Sequence, residues 1–217
     1  MDKASVLKAI EALKKDDKQR KFKQSIDLII TLKDLDLKKT EQQIEFFTTM
    51  HNTTGKKIKV CALIGPELRD EAIKVFDMVI MQDDFNKYDK SKAKKLAQQF
   101  DFFVAQANIM NKVAAAFGRY LGVRGKMPNP KAGCVVPPKG ANLKPLYDRL
   151  QKTVKISARK VPLIQLRVGT EEMPAEQVAD NVIFIYDQLI HHMPGERQNI
   201  RDVYLKLTMS KPVKLEK

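Results

Sequence analysis

The chain has 217 residues, a length for one or two domains. Hydrophobic residues make up 43%, enough for a core and too many for wholesale disorder, while nine Gly, ten Pro and two Cys exclude collagen-like, low-complexity and disulfide-scaffold classes. Forty Lys and Arg against 26 Asp and Glu leave a formal charge of +14, which points to a polyanionic partner: nucleic acid, an anionic membrane surface or an acidic protein.

The opening MDKASVLKAIEALKK places Val6, Leu7, Ile10 and Leu13 at helical spacing, predicting an amphipathic helix over residues 3–15. It has no apolar core of the kind a secretory signal carries, so the cytosol is the expected location. A basic stretch follows, with Lys14, Lys15, Lys18, Arg20, Lys21 and Lys23 outnumbering Asp16 and Asp17. The period then changes to two: Ile26, Leu28, Ile30 and Leu32 alternate with polar positions, as in a half-buried strand. Ile44–Met50 is a second strand candidate, and Asn52–Lys57 is turn chemistry and a first domain boundary.

From Lys59 the character changes. KVCALIG is a short continuous apolar run, the pattern of a strand buried on both faces of a parallel sheet. Gly65-Pro66 ends it and opens a helix, with Glu67, Asp70 and Glu71 near the positive end. Strands at Met78–Met81 and Phe102–Ala105 alternate with helices at Lys90–Gln99 and Asn108–Leu121, a βαβ pattern. A Gly/Pro-rich loop and a helix over Asn142–Lys152 complete this stretch. Two-faced strands return at Val154–Ala158 and Leu163–Val168, then a helix over Pro174–Ile190 and a final strand through Val203, Leu205 and Leu207. The expected fold is thus α+β and α/β in two domains. Residues 1–57 and 156–217 form a split α+β domain, and residues 58–155 form an inserted, three-layer, doubly wound α/β domain. Both are basic, since residues 66–155 carry +8 of the charge and the rest +6.

Catalytic chemistry is not in view. His191 and His192 are adjacent, so on a helix they diverge by about 100° and do not clamp one metal, and His51 stands in a turn. No GxSxG, HExxH or EF-hand motif occurs. Gly118 to Met127 imitates a phosphate-binding loop, but its glycine spacing is wrong, Met127 follows Lys126 where Ser or Thr is needed, and a helix precedes it. The expectation is a protein that is not an enzyme, with no metal or cofactor; no apolar run approaches the roughly 18 residues of a membrane span. Cys61 reads as a buried reduced thiol, and Cys134, in the Pro/Gly-rich loop, as an exposed one. That loop carries Arg124, Lys126 and Lys131, and is read either as a stiff crossover or as a secondary anion contact.

Arg124-Gly-Lys-Met-Pro-Asn-Pro-Lys131, flanked by Gly122 and Gly133, resembles the signature loop of the large-subunit ribosomal protein L-one family. Three further segments agree in the family's order: Phe22 with Ser25 and Asp27, Asp101-Phe-Phe-Val-Ala105, and Tyr204-Leu-Lys-Leu-Thr208-Met209. The match spans nearly the whole chain and is nearer the archaeal and eukaryotic branch. Val123 and Ser210 depart from the pattern, which has Pro and Gly there.

The resemblance implies a ribosome-bound protein, monomeric when free, that holds large-subunit rRNA at the mobile stalk beside the exit site and assists release of deacylated tRNA. Repression of its own mRNA is a further implied role. The RNA-binding residues it implies are Lys21, Phe22, Lys23, Ser25, Asp27, Lys206, Thr208, Met209 and Ser210. Without it, Phe22 reads as a core aromatic, Met209 as a core filler, and Ser25, Thr208 and the lysines as ordinary surface. The competing readings are an extra-ribosomal RNA-binding regulator and a nucleotide-binding α/β enzyme.

Overall fold

The computed structural model describes residues 1–15, 20–138, 140 and 142–215, so Asp16, Asp17 and Lys18 of the basic stretch lie outside the described residues. The chain forms two compact units, Met1–Lys56 with Lys152–Lys217, and Lys57–Gln151.

The first unit begins with helix α1 (Lys3–Lys15) and strands β1 (Ser25–Leu32) and β2 (Ile44–Thr49). The chain returns to it through strands β7 (Thr153–Ala158) and β8 (Leu163–Thr170), helix α6 (Ala175–His191), and strands β9 (Ile200–Leu207) and β10 (Val213–Leu215). Four strands make an antiparallel sheet in the order β10-β9-β1-β8, and β2 pairs with β7 in a small sheet of its own. The alternation in β1 sends Ile26, Leu28, Ile30 and Leu32 inward, where they meet Val6, Ile10 and Leu13 of α1 and Val182, Ile185 and Leu189 of α6. Each such side chain contributes about 1.5–3 kcal/mol when fully buried. Fully buried Asn181 of α6 donates to the Val168 carbonyl at 2.9 Å, tying the helix to β8.

The intervening unit alternates strands β3 (Val60–Ile64), β4 (Met78–Met81), β5 (Phe102–Gln106) and β6 (Val135–Val136) with helices α2 (Arg69–Val75), α3 (Lys90–Gln99), α4 (Met110–Val123) and α5 (Leu143–Leu150). The sheet is parallel, in the order β4-β3-β5-β6. Every residue of β3 is buried, as a strand covered on both faces must be. Cys61, Leu63 and Phe103 point into a core shared with Ala93 and Leu96 of α3 and Val113, Phe117 and Leu121 of α4. Helices α2 and α5 pack together against the other face.

Three expectations need correction. The second boundary lies between Gln151 and Lys152, four residues before the expected position, because all of β7 pairs with β2 and Met50 N–H already donates to the Lys152 carbonyl at 2.9 Å. The helix after Gly65 opens with a 3₁₀ turn, Pro66–Leu68, before α2. Cys134 is buried: its N–H donates to the Asn129 carbonyl and its own carbonyl accepts from Ala105, drawing it against β5, and burial pushes its thiol up to about 11.

In a doubly wound sheet the crevice for a ligand opens where the strand order reverses, here beyond the ends of β3 and β5. Gln106 fills it. Its side chain is fully buried, accepts from the Gly65 N–H at 2.7 Å and donates to Glu67 Oε2 at 2.7 Å. Gln106→Leu strands the buried Gly65 N–H, and a loss of about 1–3 kcal/mol is expected. Thermal denaturation reads this directly; an unchanged midpoint would mean that water replaces the amide.

Candidate nucleic-acid interface

The candidate site forms where β1 begins and β9 ends. Antiparallel register sets Ile26 opposite Leu207 and Asp27 opposite Lys206, so the chain entering β1 lies beside the chain leaving β9. Ser25 N–H donates to Thr208 Oγ1 at 3.1 Å, and the same hydroxyl lies 3.5 Å from the Ser25 carbonyl. Met209 N–H donates to Gln24 Oε1 at 3.1 Å, while the carbonyl of fully buried Gln24 accepts from Glu171. The junction is therefore a rigid latch, with backbone groups held by side chains across the strand ends.

Ser210 closes the turn. Its Oγ accepts from Leu207 N–H at 2.9 Å and donates to the Lys211 carbonyl at 3.1 Å. Among the described residues, only Asp34 and Glu196 are non-glycine with positive φ, so Ser210 sits there without backbone strain. The latch leaves two large apolar side chains in solvent: Phe22 is 50% exposed and Met209 59%. Neither fills the core, so the bland reading of both fails.

The cations around the latch differ in availability. Lys21 is exposed, and Lys23 pairs with Glu172 at 2.9 Å on the surface. Half-buried Asp27 lies between Arg167 of β8 and Lys206 of β9, its partners on either side. Burial raises its carboxyl above the ordinary value, although the charges of Arg167 and Lys206 pull the other way. Arg167 was missed by sequence reasoning. Its Nε is buried without a hydrogen-bond partner, and the one signal was its place on the outward phase of β8. Gln24 was missed too, since a glutamine before a strand advertises nothing.

The signature loop is held mainly from within. Lys126 Nζ donates to the Ala97 and Phe100 carbonyls at 3.1 and 2.6 Å, where it caps the C-terminal end of α3. Its ammonium is engaged there, which removes it from the expected anion contact. Asn129 Oδ1 accepts from Lys131 N–H at 2.9 Å, and Gly133 adopts φ +72°, where any Cβ would collide with Arg149. Arg124 and Lys131 remain exposed in the other unit, separate from the latch. Among the described residues, no group of three or more His, Cys, Asp or Glu is placed to hold a metal, and no helix is long and apolar enough to cross a membrane.

Asp27 has a pH signature. Its folded-state pKa is raised, so its charged form opposes folding, and that cost is present above the folded pKa and gone below the unfolded value of about 3.9. Asp27→Asn should raise the melting temperature of the free protein at pH 7, with the difference closing as pH falls below about 4. A variant less stable than the parent at pH 7 would show that the attraction of Arg167 and Lys206 outweighs burial.

Residues 12–211 match the ribosomal protein L1p/L10e family. The chain is 38% identical over 219 residues to large ribosomal subunit protein uL1 of Methanothermococcus thermolithotrophicus, covering 100% of both chains. It is 38% identical to the uL1 of Nanoarchaeum equitans, over 95% of this chain and 99% of that one. It is 34% identical to the uL1 of Pyrococcus horikoshii, over 99% and 97%. These relatives are ribosomal proteins rather than enzymes. With one family spanning both chain ends and the segment between them, the chain belongs to the ribosomal protein L1p/L10e family.

Proposed function

We propose that this protein is a component of the large ribosomal subunit that grips rRNA through the latch between β1 and β9. The bound element is the mobile stalk beside the exit site, where the protein assists departure of deacylated tRNA. The same surface, meeting a similar fold in its own mRNA, represses translation of that message. The observation that carries the reading is the exposure of Phe22 and Met209 on either side of a hydrogen-bonded strand junction. In the chain these two flank the pair that makes the junction, Ser25 and Thr208, so they would supply neighbouring apolar surface of the kind that marks an interaction site.

The chemistry suits RNA. Thr208 and Ser25 hydroxyls match 2′-hydroxyls and base edges, the groups that separate RNA from DNA. Phe22 and Met209 offer flat and adaptable apolar surface to bases and riboses. Lys21, Lys206 and Arg167 supply phosphate contacts that set affinity and register, and Asp27 holds the flanking cations or accepts from a 2′-hydroxyl. Because β1 and β9 are interior strands of the four-stranded sheet, this surface is preorganised and little ordering entropy is lost on binding.

The test is binding to a stalk fragment of large-subunit rRNA over a salt series. Thr208→Val should cost about 1–3 kcal/mol with the salt slope unchanged, whereas Lys206→Gln should lower the slope by about one. Equal binding of parent and Thr208→Val to any RNA would leave a generic basic surface and defeat the proposal. Co-sedimentation with large subunits separates the ribosomal reading from an extra-ribosomal regulator.

A further inference from the structure

The charge of the inserted unit is unevenly laid out. Between Lys90 and Lys126 stand eight basic residues and one acid, Asp101, and this stretch comprises α3, β5 and α4. Both helices cover the same face of the parallel sheet, and Lys126 ties the end of α4 to the end of α3. Outward from this layer point Lys90, Lys92, Lys94 and Lys95 of α3, and Lys112, Arg119 and Arg124 of or just beyond α4, all exposed. Among the described residues, none of these seven forms an ion pair with a carboxylate; Lys92 and Lys112 reach only the Lys87 carbonyl and Gln82 Oε1. By contrast, α2 and α5 mix Arg69, Lys74, Lys144 and Arg149 with Asp70, Glu71 and Asp148.

The lysines of α3 sit where helix energetics resist them. Lys90 and Lys92 occupy the first turn and face the positive end of the helix dipole, where the one acid is the N-cap Asp89, whose side chain makes no capping hydrogen bond. Lys90 with Lys94, and Lys92 with Lys95, are like charges on neighbouring turns. A solubilising surface has no need of such placement, since interspersed acids would serve it and stabilise the helix as well. An external polyanion removes both penalties at once.

We infer that the α3–α4 face is a second RNA-binding surface, one that grips the phosphate backbone of a helix without reading its bases. The face carries no exposed aromatic to stack on a base, and its only large exposed apolar residue among those described is Val123, the last residue of α4. A protein partner would be met by apolar anchors at the centre of the contact; here there are point charges alone. Lys90 and Lys94, one turn apart along the helix at about 6 Å of rise, match successive phosphates of one strand. The surface is in a different unit from the latch, so it stands or falls separately from the proposal above.

The experiment uses the full chain and a short RNA duplex of arbitrary sequence, with affinity measured across a potassium chloride series. Lys90→Gln/Lys94→Gln/Lys95→Gln/Arg119→Gln is compared with Lys8→Gln/Lys14→Gln/Lys38→Gln/Lys39→Gln, four exposed cations elsewhere and the same net charge. The first variant should lose about tenfold or more in affinity at low salt and flatten the log–log slope by about three to four, at just under one per lost contact. The second should stay within about twofold of the parent, and the first variant should melt no earlier than the parent because its helix is relieved of like charges. Equal losses in the two quadruple variants would mean that net charge alone binds, and no loss in the first would remove the surface. Displacement of the duplex by polyglutamate as readily as by unlabelled RNA would assign the face to an acidic protein instead. Any of the three overturns the inference.

Discussion

The pairing of β1 with β9 is the constraint on which the rest of this molecule depends. Ser25 and Thr208 are 183 positions apart, yet the backbone of one donates to the hydroxyl of the other. Closing so long a loop costs entropy that grows only with the logarithm of its length. Continuous ladders from β10 through β9 and β1 to β8, with the apolar faces of α1 and α6 packed on them, offset it. The ends of the chain thereby become one rigid platform, and the candidate interface sits at the seam that this closure creates. Neither end could build the interface alone, since Gln24 and Ser25 come from one and Thr208 to Ser210 from the other.

The same logic explains how a whole α/β unit is accommodated between β2 and β7. The chain leaves and returns almost at one point: Ile58 and Gln151 bond reciprocally, with the Gln151 side chain accepting at 2.9 Å and donating at 2.7 Å. On the other side of the boundary, Met50 N–H meets the Lys152 carbonyl. An insertion whose ends are clamped this closely leaves the register of β2 on β7 undisturbed, from Ile44 opposite Ala158 to Thr49 opposite Thr153. Gln106 completes the unit by closing the crevice that many folds of this type hold open for a ligand.

Much of the fold was legible because periodicity was strong. The two-residue alternation of β1 and the solid apolar run of β3 each announce a different kind of sheet, and both sheets form as announced. What was not legible depends on tertiary context. Strands β6 and β10 have two and three residues, too short to show a period, and exist because β5 and β9 present free edges to them. Cys134 looked exposed because its neighbours are loop residues, but loop composition says nothing of which sheet the loop crosses. Lys126 looked available for an anion because a sequence does not display the carbonyls at the end of a helix 26 residues earlier. At the latch, the residue types were readable through resemblance alone. Phe22 and Met209 are apolar, and only the closed sheet shows that both are left outside the core.

Asp27 is the instructive member of that surface. A carboxylate repels phosphate, and burial here already opposes its charge. Its register position gives it a different use: on the same outward row it has Arg167 to one side and Lys206 to the other. Arg167 and Lys206 stand on the two strands that flank β1, and the carboxylate between them offsets part of their mutual repulsion. An anion that would oppose phosphate by its charge thus lowers the cost of keeping two cations on one row of the sheet. The buried, unpartnered Nε of Arg167 adds to the cost of this row, and the charge of Asp27 opposite it offsets part of that cost.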